Sequence, residues 1–93
     1  MEKTIFIKNE DVIVHEEPDE SLIYNDEDGK ISIVNATGFR FIELCDGKNT
    51  FIDIVKTIAN ESQTSEEVIA KDMEEYVSKL ISKNIIRKKI TQE

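Results

Sequence analysis

The sequence predicts an α+β fold in which a small antiparallel sheet is laid down first and three helices follow it. Short alternating apolar runs bounded by turn residues fill the first third of the chain, and longer runs with apolar residues three and four apart fill the rest. A third observation is the stretch Lys30 to Gly47, KISIVNATGFRFIELCDG, where a strand passes through an Asn cap into a helix with almost no loop between them.

Taken in order, Thr4 to Ile7 and Val12 to His15 are β-rich pieces around the polar Lys8 to Asp11. The second reads as a strand, the first as an extension or a frayed arm. Pro18 marks a loop in the acidic link that follows. Leu22 to Asn25 and Lys30 to Val34 flank Asp26-Glu27-Asp28-Gly29, a hairpin signal with glycine last. The result is a three-stranded meander with Lys30 to Val34 at its edge, Ile31 and Ile33 on one face and Ser32 on the other.

Asn35 is placed to accept a free backbone N–H of a first helix, Ala36 to about Asp46, and Gly47 to close it in a left-handed conformation. Phe39, Phe41, Ile42, Leu44 and Cys45 form its apolar face. The second helix has Thr50 as cap and Asp53 three residues on, then Phe51, Ile54, Val55, Ile58 and Ala59 on one stripe. The third begins at Thr64 with Glu67 at the box position, carries Ile69, Met73, Tyr76, Val77 and Leu80, and ends near Asn84. Ile85, Ile86 and Ile90 enclose three cations and suggest a last short strand.

A chain of 93 residues is read as one domain, 1–93, with a single modest core. One cysteine excludes an internal disulfide, and the first residues show neither a long apolar segment nor a cleavage site, so the expected compartment is cytoplasmic. The net charge of −8 arises wholly in residues 1–28, which hold ten acids and two bases. Such a field repels nucleic acid and anionic membrane, and neither is expected as a partner.

Catalytic and metal chemistry is poorly provided for. His15 stands alone and reads as a strand residue, and Cys45 lies on an apolar helix face with no histidine near it. Aligning Gly29 with the glycine of a calcium loop puts Tyr24 and Asn35 at positions that need acids. Ser21 precedes the β-rich Leu22-Ile23-Tyr24, whereas the phosphopantetheine serine of a carrier protein starts a helix. No enzyme, cofactor or metal is therefore expected, and binding remains.

Two helices joined by a short turn beside a small sheet suggest a winged helix-turn-helix arrangement, and a winged-helix DNA-binding or regulatory domain is the alternative reading. The third helix sets Lys71, Lys79 and Lys83 against Glu66, Glu67, Asp72, Glu74 and Glu75, the wrong sign for a DNA groove.

Ile33-Val34-Asn35-Ala36-Thr37-Gly38, followed by Phe41 to Lys48 and by the Thr50-capped helix, resembles the PqqD-like family, named for a small protein of pyrroloquinoline quinone biosynthesis. The resemblance covers about Val12 to Ile86. It implies a RiPP recognition element: a non-catalytic peptide chaperone that binds the leader segment of a ribosomally made precursor by strand addition. It then presents the precursor to a modifying enzyme, often a radical S-adenosylmethionine protein. Carried over, the peptide-binding residues are Ile31, Ser32, Ile33 and Val34 on the edge strand and Asp72, Met73, Tyr76 and Lys79 on the last helix. Thr4 to Ile7 lies outside the matched core and would compete with the leader if it paired with that edge.

Overall fold

The computed structural model describes residues 1–89. The meander is present: β2 (Val12–Glu16), β3 (Ser21–Asn25) and β4 (Ile31–Val34) form one antiparallel sheet in that order. The register runs Ile13↔Tyr24↔Ile31 and Val14↔Ile23↔Ser32, so β4 is an edge strand. Three helices follow it, α1 (Ala36–Leu44), α2 (Phe51–Ser62) and α3 (Glu66–Ser82).

The first β-rich piece is not a frayed arm. It is β1 (Ile5–Lys8), the central strand of a second antiparallel sheet, between β5 (Asp46–Thr50) and β6 (Ile86–Lys88). Its side chain Phe6 is fully buried and meets Phe41 and Phe51 with ring centroids 6.3 and 6.5 Å away, so this segment supplies the centre of the core. Because β1 is paired on both sides, it leaves the β4 edge free. The last short strand runs from Ile86 to Lys88 and pairs with β1; Ile90 lies outside the described residues.

Local caps follow the chemistry of the residues. Asn35 Oδ1 accepts the Gly38 N–H at 2.8 Å, and Thr50 and Asp53 form a reciprocal box at 3.2 and 3.1 Å. Two boundaries differ from expectation. Helix α1 stops at Leu44, because Asp46 and Gly47 enter β5 opposite β1; Gly47 does have a left-handed φ of 81°, but inside that strand. Helix α3 is capped by Ser65, whose Oγ accepts the Val68 N–H at 3.3 Å, while the Thr64 hydroxyl donates to the Ser62 carbonyl instead. Glu67 accordingly makes no capping box.

The faces of β4 are also inverted relative to a simple apolar-inward alternation. Val34 is buried and Ser32 half-buried, whereas Ile31 and Ile33 are 65% and 62% exposed. Together with exposed Ile13 and Tyr24 they cover the outer face of the sheet. Among the described residues no helix is long and apolar enough to cross a membrane.

Candidate functional site

The backbone of β4 offers the first half of a binding site. The Asn25 N–H donates to the Lys30 carbonyl at 2.9 Å, while the Asn25 carbonyl accepts the Gly29 N–H at 2.8 Å, so the turn closes here with the Lys30 carbonyl facing β3. Facing alternates along such a ladder, so after the Lys30 carbonyl it is Ser32 and Val34 that turn their N–H and C=O groups toward β3. Ile31 and Ile33 therefore turn their N–H and C=O groups outward, to the open edge. An edge of this kind is a template for one more strand.

The second half is α3, which runs alongside β4 in the opposite direction. A cavity of about 500 Å³ lies between the β4–α1 junction, the α2–α3 connection and α3, with Asn35, Thr37, Thr64, Asp72, Met73 and Tyr76 in its wall and Lys79 at its far end. Another, of about 390 Å³, lies beneath the beginning of β4, lined by Ile23, Lys30, Ile31, Ser32, Ser82 and Lys83. They share no lining residue and follow one another along α3, the first at Asn35 and Asp72 and the second at Lys30 and Lys83; this row of two hollows is the groove.

The four helix residues anticipated from the sequence, Asp72, Met73, Tyr76 and Lys79, share the first cavity. Met73 is buried and forms its floor, while Asp72 and Lys79 are exposed at its rim. Of the four strand residues, Ile31 and Ser32 line the second cavity, Ile33 faces the outer surface and Val34 belongs to the core. Lys83 was missed by the sequence reading. It was legible as the residue one turn beyond Lys79 on the same stripe of α3.

Tyr76 is held, not free. Its ring lies so close to Gly38 that a Cβ there would overlap it, which explains why α1 tolerates glycine in its first turn. Burial pushes the Tyr76 phenol above its ordinary value, with the nearby Asn35 backbone acting in the opposite sense. The ring thus braces α3 against the β4–α1 junction. At the other end, buried Asn25 donates from Nδ2 to the Lys83 and Asn84 carbonyls at 3.3 and 3.4 Å, and its Oδ1 accepts the Glu27 N–H at 2.9 Å. One side chain ties the hairpin turn to the end of α3 and sets the width of the groove there.

Other candidates carry no chemistry. The Cys45 thiol is buried and pushed up to about 12, by desolvation first and by the charge of Asp46 second, so it holds its proton. His15 is exposed on β2 with Glu17 at 3.2 Å, away from the groove.

The chain is thus a small α+β domain with an open sheet edge at β4 and α3 beside it. Residues 20–86 match the family described as Coenzyme PQQ synthesis protein D (PqqD), and the chain belongs to that family. Its fold is similar to that of a solved structure described as TbiB1 in complex with the TbiA(beta) leader peptide. The TM-score is 0.76 at 18% sequence identity, over 91% of this chain and 99% of that one. No curated protein matches the sequence.

Proposed function

We propose that this protein binds the leader segment of a ribosomally made precursor peptide and presents the remainder to a modifying enzyme, catalysing no step itself. The observation that carries the reading is the open β4 edge, with the polar backbone groups of Ile31 and Ile33 free beside the α3 groove. Membership of the PqqD family supports it, as does the likeness in fold to a protein solved with a leader peptide. Ile31 and Ile33 supply the ladder; Ser32 and Val34 set the spacing; Asp72, Met73, Tyr76 and Lys79 read the peptide's side chains. The modifying enzyme is proposed to be a radical S-adenosylmethionine protein, and the compartment the cytoplasm.

A strand added to β4 has a definite phase. Its residues opposite Ile31 and Ile33 make the backbone bonds and place their side chains on the apolar outer face. Its residues opposite Lys30, Ser32 and Val34 make no backbone bond to β4 and direct their side chains into the groove. The testing experiment is titration with the leader and core halves of the precursor, followed by an N-methyl scan of the leader. The leader half alone is expected to bind, with Kd on the order of micromolar to tens of nanomolar. Methylation is expected to weaken binding at two positions, two residues apart, by about fivefold or more each. Equal binding of both halves, or sensitivity every third or fourth residue, overturns the reading.

A further inference from the structure

The groove has an electrical direction that the net charge of −8 conceals. At the Asn35 end Asp72 and Glu75 face Lys79, a local excess of one acid; at the opposite end Lys30 and Lys83 face Asp28, an excess of one base. Asp28 is further engaged, its Oδ1 accepting the Lys30 N–H at 2.9 Å. The lengths agree. From Glu75 to Lys83 the helix rises about 12 Å, and from Val34 back to Lys30 the strand spans about 13 Å. An antiparallel peptide strand, the more stable pairing per residue, therefore enters at the acidic end and leaves at the basic one.

From this we infer that the leader this protein selects carries a base and, four residues later, an acid, both facing the groove: Lys or Arg opposite Val34, Asp or Glu opposite Lys30. The basic side chain lays its methylenes over the Met73 floor and puts its charged head beside Asp72 and Glu75. The acidic one meets Lys83 and Lys30. Both pairs are partly exposed, so each contributes discrimination of a few-fold rather than the bulk of the affinity. The order of the two charges fixes the direction of the strand and sends the modifiable part of the precursor out past Lys83 and the Asp26 to Gly29 turn.

The inference rests on strand addition at β4, and its test separates the two. Displayed random twelve-residue peptides are selected on the immobilised protein and on the single variants Lys83→Glu and Glu75→Lys, all three checked for folding by urea midpoint. On the unaltered protein, enriched peptides are expected to show a base at one position and an acid four later. On Lys83→Glu the preference at the later position turns to Lys or Arg while the earlier one is kept, and on Glu75→Lys the earlier preference weakens. One selected peptide and its charge-reversed partner, compared by titration, are expected to differ about five- to tenfold in Kd, with salt narrowing the gap. Acid-before-base order, or Lys83→Glu peptides indistinguishable from those of the unaltered protein, overturns the inference. An N-methyl scan of that peptide then tells which statement failed: alternate-position sensitivity leaves strand addition standing without the charge rule, and its absence removes both. Failure to enrich any peptide over bare support also removes both.

Discussion

Gly38→Ala is the substitution on which the architecture of the groove can be tested most directly. Alanine in place of glycine in a helix is ordinarily favourable by up to about 1 kcal/mol. Here the added methyl would fall inside the Tyr76 ring, which must move. Overpacking of this kind costs about 1–3 kcal/mol. Set against the helix gain, the net expectation is a destabilisation of up to about 2 kcal/mol. In a Tyr76→Ala background the obstruction is gone. The same Gly38→Ala change should then stabilise by up to about 1 kcal/mol. Urea unfolding of the four proteins of this cycle, with unchanged slopes, measures both effects. An increase in midpoint for Gly38→Ala alone, or the same effect in both backgrounds, would refute the claim that Tyr76 braces α3 across Gly38.

Three further outcomes follow from the described contacts. Asn25→Ala removes a buried side chain that joins the hairpin to the Lys83 and Asn84 carbonyls. It is expected to cost about 1–3 kcal/mol by urea unfolding and to raise exchange of amides at the end of α3 more than in α2. Cys45, buried and pushed up to about 12, is expected to resist alkylation at pH 8 in the folded protein and to react when unfolded; Cys45→Ala should leave leader Kd within about twofold. Asp46 accepts the Asn49 and Lys48 N–H groups at 3.0 and 2.8 Å, which hold its carboxyl below the ordinary 3.8. Its contribution is present above 3.8 and lost as pH falls through the lowered value, so Asp46→Asn should be less stable than the unaltered protein at pH 7 and the two should converge in acid.

The features legible in the sequence are those made by neighbours in the chain. The Asn35 cap, the box between Thr50 and Asp53 and the Asp26 to Gly29 hairpin each depend on bonds spanning a few residues. The apolar stripe of α2 depends only on helical period, and all four stand where the residues place them. The family resemblance rests on the same local signals in order, which is why residues 20–86 carry the match. Asp72, Met73, Tyr76 and Lys79 came from the family resemblance rather than from period, and α3 brings the four to one cavity because three- and four-residue steps share a helix face.

What the sequence could not decide is set by partners distant in the chain. Asp46 to Thr50 has no β-forming residue except its last, and it becomes a strand only because β1 pairs with it from forty residues away; β6 joins β1 from further still. Nothing local marks Phe6 as the centre of the core. Alternation shows that Ile31 and Ile33 share a face of β4, but period two is the same whichever side is buried. The choice was made by the rest of the fold, which packs Val34 and Ile23 inward and leaves the isoleucines at the surface. The charge direction of the groove is tertiary for the same reason: Lys30 and Lys83 lie far apart in sequence, and only the antiparallel course of α3 beside β4 brings them to one end.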